Sequence, residues 1–219
     1  MPQTETFDEA DEQKSARIER ILEAAYELFS TRGIEQVAMT DIAENSKIGV
    51  ASLYRYFETK EVLVVRTATY AWTTRMEEIL PIFLKPKFKN AKGIDQLSEI
   101  FAMFVKLYEK QTDFLKFIYL FDAFAVREKI PKEAFVNYEA KILLVKQIIS
   151  EAIEKGIADG SINEKFVSTG DMLYFTLMHT FFSTAQKLSL SGKMLDMDKQ
   201  LNGSAQLKLL SELLLSSLK

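Results

Sequence analysis

Apolar residues recur along most of the chain at intervals of three and four, which is typical of α-helices with one buried face. The first such segment runs over residues 14–31 and ends before Gly33, because glycine commonly follows a helix. The same pattern predicts helices over residues 39–46, 50–57, 60–84, 94–110, 112–128, 132–159, 164–190 and 198–218. No segment has a convincing strand period. The pattern therefore predicts an all-α protein with about nine helices.

Helix length divides the chain into two parts. The predicted helices before residue 60 are short and closely connected, and those after it are long and rich in Phe, Leu, Ile and Met. The first thirteen residues hold five acids and no base, which indicates a solvated leader. We therefore expect a disordered acidic leader over 1–13, a small domain over 14–60 and a larger helical domain over 61–219. Pro81 and Pro86 are expected to end the fourth segment, which runs over residues 60–84.

Composition excludes several kinds of chemistry. The 219 residues include no Cys and a single His, His179, so disulfides, thiolate metal sites and histidine metal clusters are excluded. Phosphate-loop, dinucleotide, nucleophile-elbow and zinc motifs are also absent from the sequence. We expect no catalytic residue, no metal and no cofactor. The acidic start does not fit a secretory signal and the apolar runs are too short to span a membrane, so a cytoplasmic protein is expected.

Residues 39–57 have the form of a helix-turn-helix. In the second short helix, Leu53 and Phe57 lie four residues apart and therefore share an inward face. The opposite face carries Ser52, Arg55 and Tyr56, with Tyr54 at its flank. Hydroxyl groups and an arginine suit contacts with phosphates and base edges. Lys60 follows at the start of the next helix, in a position for a phosphate.

The stretch Thr40-Asp-Ile-Ala, together with Leu53-Tyr-Arg-Tyr-Phe-Glu-Thr-Lys-Glu-Val-Leu63, resembles the DNA-binding domain of TetR-type transcriptional regulators. The resemblance implies a homodimer in which each second short helix enters a major groove of double-stranded DNA. The positions that it assigns to DNA are Thr40, Val50, Ser52, Tyr54, Arg55, Tyr56 and Lys60. Two positions depart from the family pattern. Ala38 replaces the usual Ser or Thr cap, whose role is either lost or taken by Thr40. Lys47 replaces a turn glycine, which adds a positive charge near the DNA but strains the backbone if φ is positive.

The charge of this domain is balanced. Residues 14–66 contain eight basic and eight acidic side chains, whereas 47–57 contain Lys47 and Arg55 and no acid. The whole chain has a net charge of −3, which argues against a non-specific nucleic-acid coat. We therefore expect a small positive face, weak non-specific DNA binding and strong salt dependence in the specific complex.

Aromatic residues are concentrated between Phe101 and Phe124. One interpretation is a packed aromatic core, and the other is a lipophilic cavity for a small-molecule effector, which the TetR resemblance favours. The candidate lining residues are Trp72, Met76, Phe101, Phe104, Tyr108, Phe117, Phe121, Phe175, Met178 and His179. Asp122, His179 and Arg75 are candidates for orienting such a ligand. An uncharged lipophilic or aromatic effector is expected from the number of rings.

The last two long helices are the expected dimer interface, because their apolar surface exceeds what one protomer covers. The candidate interface residues are Phe181, Leu188, Leu207, Leu210 and Leu214. The leading hypothesis is a ligand-responsive transcriptional regulator, most simply a repressor. The alternative is a helical carrier of hydrophobic small molecules without DNA binding, which would leave the helix-turn-helix unexplained.

Overall fold

The computed structural model describes residues 5–191 and 194–219, and in these ranges the protein is helical and contains no strand. Nine α-helices have seven or more residues, which confirms the all-α prediction. The α-helices are α1 (Glu5–Arg32), α2 (Met39–Asn45), α3 (Val50–Phe57), α4 (Lys60–Phe83), α5 (Pro86–Asn90), α6 (Gly93–Lys110), α7 (Thr112–Arg127), α8 (Val136–Ala158), α9 (Asp171–Ser191), α10 (Asp196–Lys199) and α11 (Gly203–Ser217). None of the described helices is long and apolar enough to cross a membrane.

The first helix is longer than its apolar pattern indicates. It begins at Glu5, so residues 5–13, expected to be a disordered leader, form its first turns. Residues 1–4 of the expected leader lie outside the described residues.

Three other boundaries differ from the predicted pattern. Pro81 lies inside α4 instead of ending it. The segment expected over 164–190 begins as a 3₁₀-helix, Glu164–Thr169, and Gly170 with φ 50° separates it from α9. A left-handed backbone cannot continue an α-helix, so the single predicted segment becomes two. The segments expected over 132–159 and 198–218 likewise begin later as α-helices, at Val136 and Gly203.

The helices form two compact units. The first contains the described residues up to Thr74 together with Phe117–Tyr138, and the second contains Arg75–Lys116 and Glu139–Lys219. The chain therefore passes from one unit to the other within α4, α7 and α8. The first unit includes α1 to α3, which carry the helix-turn-helix, and also takes in part of the region expected to form the larger domain.

Each unit has its own aromatic core. In the first, the Phe117 ring of α7 stacks on Phe29 of α1 with centroids 6.2 Å apart, and its edge faces Tyr26 at 5.4 Å. In the second, Phe101 of α6 stacks on Phe181 of α9 at 4.9 Å. All four Phe rings are fully buried. Rings of this size exclude a large apolar area from water, so each core stabilises its unit mainly by burial.

Two glycines allow α6 and α8 to approach closely within the second unit. A Cβ atom added to Gly93 would overlap the backbone of Gly156 and the carbonyl oxygen of Ala152. The Gly93 N–H also donates to Asp159 Oδ2 at 2.9 Å, which anchors the start of α6 on the end of α8.

We predict that Gly93→Ala destabilises the protein by about 1–3 kcal/mol, because a backbone–backbone overlap can be relieved only by separating the two helices. Thermal unfolding measures this as a fall in Tm of about 2–4 °C per kcal/mol for a chain of this size. Gly49→Ala is the matched control, since a Cβ there has open space. Equal Tm values for Gly93→Ala and the control would contradict the close approach.

Candidate nucleic-acid interface

The helix-turn-helix is built on two pairs of buried residues within the first unit. One pair is Ile42 and Ala43 of α2, and the other is Leu53 and Phe57 of α3. The backbone N–H of Ile48 donates to the carbonyl oxygen of Ala43 at 2.9 Å. The buried Ser46 hydroxyl donates to the carbonyl oxygen of Ile42 at 2.6 Å. These bonds close the turn and direct the chain into α3, because they satisfy backbone groups that the end of α2 would leave unpaired.

The start of α2 shows how the chain compensates for Ala38. Ala38 is the N-cap residue and has no side-chain acceptor, so the usual capping bond is missing. Asp41 instead accepts a hydrogen bond from the Ala38 N–H at 2.9 Å, which is the half of a capping box that Asp41 can supply. The cap has therefore not moved to Thr40, whose side chain is exposed.

Lys47, which stands where the TetR pattern has a turn glycine, has the positive φ that strains the backbone of a residue with a side chain. Its φ is 56°, and its side chain is exposed. A non-glycine residue in this region costs roughly 1–2 kcal/mol. The chain therefore carries a positive charge at the turn at some expense of stability.

The faces of α3 are divided as its sequence predicts. Leu53 and Phe57 are fully buried, while Val50 and Tyr54 have 39% and 47% of their surface exposed. Arg55 is also exposed, and Ser52 and Tyr56 are half-buried. The outer face of α3 thus presents hydroxyl groups, one guanidinium group and an apolar residue. This combination can bond to phosphates and base edges and can contact a thymine methyl group.

Lys60, the last predicted DNA contact, has a different environment. It is half-buried at the start of α4, where desolvation lowers the pKa of its ammonium group while the charges of Glu35 and Glu61 oppose that shift. Glu35 is itself paired with Arg127 at 2.7 Å. Lys60 therefore belongs to a network of charges beside α3 and not to its exposed face.

Two of the predicted effector residues are brought together in the first unit. The Trp72 Nε1–H donates to the Tyr138 hydroxyl at 3.3 Å, and the Phe121 ring lies 4.9 Å from the Tyr138 ring. Phe135 completes the group, with its centroid 6.1 Å from Phe121. Phe117, predicted to line the same cavity, is instead part of the core with Phe29.

Asp122 adjoins this aromatic group. Desolvation raises the pKa of its carboxyl group to about 6. The pKa of the Tyr138 hydroxyl is also raised, first by burial and then by the Asp122 charge. We name Trp72, Phe121, Asp122, Phe135 and Tyr138 the aromatic–acid cluster. It combines apolar surface with the carboxyl group of Asp122, a residue that is itself exposed at the surface.

The remaining predicted effector residues lie in the second unit and do not form one group. Phe101 and Phe104 pack on Phe181, and Met76 and Met178 are buried. Tyr108 is half-buried, and its hydroxyl lies against Gly203. Phe175 and His179 lie on the outer face of α9 with ring centroids 5.6 Å apart, and both are exposed.

The five predicted interface residues differ in how far they are buried. Phe181 and Leu207 have no exposed surface, so within this fold they are core residues and are not available to a second chain. Leu188, Leu210 and Leu214 are half-buried. The apolar residues most exposed on these helices are instead Met172 and Phe175 of α9 and Leu209 and Leu213 of α11. We name these four residues the outer apolar face.

Sequence reasoning missed two groups of residues. Tyr138 and Phe135 lie beyond the segment where aromatic residues are concentrated, and no pattern joins them to Trp72. Lys14 and Arg17 of α1 lie with Arg55 and Tyr56 around one recess, although some forty residues separate them in sequence. The only signal in the sequence was the position of Arg17 and Lys14 one and two turns before Ile21, the first buried residue of α1.

Comparison with known proteins agrees with this geometry. The model of the family "Bacterial regulatory proteins, tetR family" matches residues 21–67. The HTH-type transcriptional repressor KstR2 of Rhodococcus jostii is 26% identical over 153 residues, which cover 68% of this chain and 69% of KstR2.

Two solved structures share the fold. The Thermus thermophilus FadR structure, a TetR family repressor in complex with lauroyl-CoA, has a TM-score of 0.59 at 20% identity and covers 90% of this chain and 93% of its own. A putative TetR-family regulator from Mesorhizobium loti has a TM-score of 0.69 at 17% identity, covering 93% and 95%.

A helix-turn-helix with an exposed polar second helix is an arrangement that can enter the major groove of DNA. Residues 21–67 thus resemble the DNA-binding domain of TetR-family regulators, and the chain as a whole has the fold of the two solved structures. The relatives and solved structures named here are all described as transcriptional regulators or repressors.

Combined replacement of Tyr54 and Arg55 by Ala tests the exposed face of α3. We expect specific DNA affinity to fall at least about a hundredfold, since each base or phosphate contact contributes about 1–3 kcal/mol and is present in both protomers. Both side chains are exposed, so Tm should stay within about 2 °C of wild type. Lys106→Ala, an exposed charge on α6, is the control. Full DNA affinity in the double variant would exclude α3 as the reading helix.

Asp122→Asn tests the desolvation of the aromatic–acid cluster. The folded-state pKa of Asp122, about 6, lies above the unfolded value near 4, so wild-type stability falls as pH rises through this interval. We expect the variant to have the higher Tm at about pH 7.5 and the difference to vanish near pH 4. A Tm difference that is constant over this range would show that the Asp122 carboxyl is not desolvated.

Proposed function

We propose that this protein is a cytoplasmic, homodimeric repressor of the TetR family that a small lipophilic or aromatic effector releases from a palindromic operator. In this proposal residues 14–60 bind DNA, and residues 61–219 bind the effector and form the dimer. The observation that carries the proposal is the exposed face of α3, opposite the buried Leu53 and Phe57.

DNA contacts would come from both helices of the motif and from the turn. Tyr54 and Arg55, the most exposed polar residues of α3, would read base edges, and Thr40 and Lys47 would bind phosphates. Val50, Ser52, Tyr56 and Lys60 would complete the contact surface. Two α3 helices related by a two-fold axis would read half-sites about one DNA turn apart or somewhat more.

The aromatic–acid cluster is the part of the first unit best suited to an effector. It offers indole, phenyl and phenol rings beside a carboxyl group, and ligand sites typically combine such apolar surface with a few polar groups. The Thermus FadR structure holds lauroyl-CoA, in which a long acyl chain is lipophilic. That structure supports a lipophilic effector, and both it and KstR2 are described as repressors, which supports the direction of control.

Helix α4 is the element proposed to couple the effector to the DNA. It begins next to α3 at Lys60, carries Trp72 of the aromatic–acid cluster and continues into the second unit. Four of its threonines donate hydrogen bonds to carbonyl oxygens four residues earlier, and such back-bonding bends helices. An effector that favours one bend over another would shift the population of DNA-competent dimers.

The outer apolar face is proposed as the dimer interface. Helices α9 and α11 pack on each other, and both expose large apolar side chains next to half-buried Leu188, Leu210 and Leu214. Pairing these two helices with their two-fold copies would give a four-helix bundle and would cover this surface.

Phe175→Glu combined with Leu213→Glu should therefore convert the dimer to monomers, because four charges would be placed in the interface without partners. Light scattering after size exclusion measures the mass. Val126→Glu, at a residue 80% exposed on α7, is the control and should remain dimeric. A double variant that keeps the dimeric mass would exclude this face as the interface.

Selection of genomic DNA fragments by the purified protein tests the function itself. We expect enrichment of a near-palindromic site, with affinity that falls steeply as salt rises. Lipophilic compounds that raise the Tm should then weaken binding to that site. Enrichment of no DNA by a folded, dimeric protein would favour the carrier hypothesis, and effectors that are all small and highly charged would refute the proposed effector class.

A further inference from the structure

A recess of about 420 Å³ lies between α1 and α3, next to the exposed face that the proposed function assigns to DNA. Its lining residues are Gln13, Lys14, Arg17, Arg55 and Tyr56. We name it the basic notch. Three of its five side chains are cations and none is an acid, although the surrounding domain is electrically balanced.

The register of α1 explains why these side chains meet α3. Ile21, Ala25 and Leu28 form the buried face of α1 within the first unit. Lys14 and Arg17 lie seven and four residues before Ile21, so they continue the same face of the helix towards its start. Where the apolar core ends, this face becomes basic and lies against the end of α3.

Contacts within the notch hold its charges in place. Arg17 Nη1 donates to the Tyr56 hydroxyl at 3.4 Å, and the Arg55 guanidinium carbon lies 5.6 Å from the Tyr56 ring centroid. Hydrogen bonding from Arg17, followed by that from Arg55, lowers the pKa of the Tyr56 hydroxyl. Both guanidinium groups therefore act on the same small region of α3.

The cations of the notch differ from the paired cations in the described part of the chain. Among the described side chains, Lys14, Arg17 and Arg55 form no ion pair, whereas several other basic residues do. Like charges held close together repel one another, and an anion bound between them relieves that repulsion. Guanidinium and ammonium groups are the side chains that bind phosphate most strongly.

We propose that the basic notch binds a backbone phosphate of the DNA, which makes Lys14 and Arg17 of α1 part of the DNA contact surface. The proposal rests on the proposed function and extends it beyond the helix-turn-helix. A phosphate is common to every sequence, so this contact would fix the position of the protein on the duplex without selecting the sequence. Arg55 is the one cation of α3, so Lys14 and Arg17 would add positive charge to the DNA contact surface.

The test is the salt dependence of DNA binding by the full-length Arg17→Ala variant, measured by titration of the selected operator and of unrelated duplex DNA. Each phosphate neutralised contributes about 0.9 to the slope of log affinity against log salt. Loss of one contact in each protomer should therefore lower the slope by about 2. Affinity should fall about tenfold, and by the same factor for both DNAs.

Three further variants separate a phosphate contact from other roles. Arg20→Ala removes the same charge from an exposed position of α1 outside the notch, and its slope should stay at the wild-type value. Arg17→Lys keeps the charge and should restore most of the slope. Tyr56→Phe removes the hydroxyl that accepts from Arg17 and with it a proposed DNA contact, so affinity should fall, but all three cations remain and the salt slope should be retained.

An unchanged slope in Arg17→Ala would overturn the notch proposal and leave the proposed function standing. A slope reduced equally by Arg20→Ala would also overturn it, since the effect would then come from overall charge. If Tyr56→Phe lowered the salt slope as much as Arg17→Ala does, Arg17 would act by positioning Tyr56, and the phosphate site would be refuted. A wild-type protein that binds no DNA would refute both the proposed function and the notch.

Discussion

The burial of Leu53 and Phe57 is the constraint on which the proposed DNA surface depends. Both side chains are fully enclosed, and they lie four residues apart on a helix of only eight residues. Such a helix has little stability of its own, so its orientation is set by what it buries. Once these two residues face the core, Tyr54 and Arg55 must face outward. The bonds from Ser46 and Ile48 that close the preceding turn fix where the helix starts.

The local charge of a surface in this protein depends on which charged side chains the fold brings together, and it does not follow from the net charge of the domain. The first domain contains equal numbers of acids and bases, and Glu35, Glu61 and Arg127 surround Lys60 in a local network. Free positive charge is found where Arg17 of α1 meets α3 at Tyr56. A domain without net charge can thus present a basic surface, because ion pairs neutralise some cations and leave others unpaired.

The two units divide the aromatic residues that look continuous in sequence. Phe101 belongs to the second unit, where it stacks on Phe181, and Phe117 belongs to the first, where it stacks on Phe29. The passage of α7 from one unit to the other separates them. The segment dense in aromatic residues is therefore divided between two units, and the effector proposal rests on the cluster around Tyr138, which includes Phe121 of this segment.

The sequence by itself determined the helical class, most helix positions and the two faces of α3. These properties follow from local periodicity, and the helix-turn-helix is a local motif whose residues lie within twenty positions of one another. The resemblance also placed Lys47 at a turn position where the family usually has glycine, and the structure has φ 56° there.

Only the tertiary structure decided which apolar residues are core and which are surface. Phe181 and Leu207 look like their exposed neighbours Phe175 and Leu209 in sequence, and their burial depends on which side of α9 and α11 meets the other helices. Likewise, no pattern joins Trp72 to Tyr138 or Arg17 to Tyr56. Contacts between residues far apart in the chain depend on how whole helices pack, which periodicity within one helix does not specify.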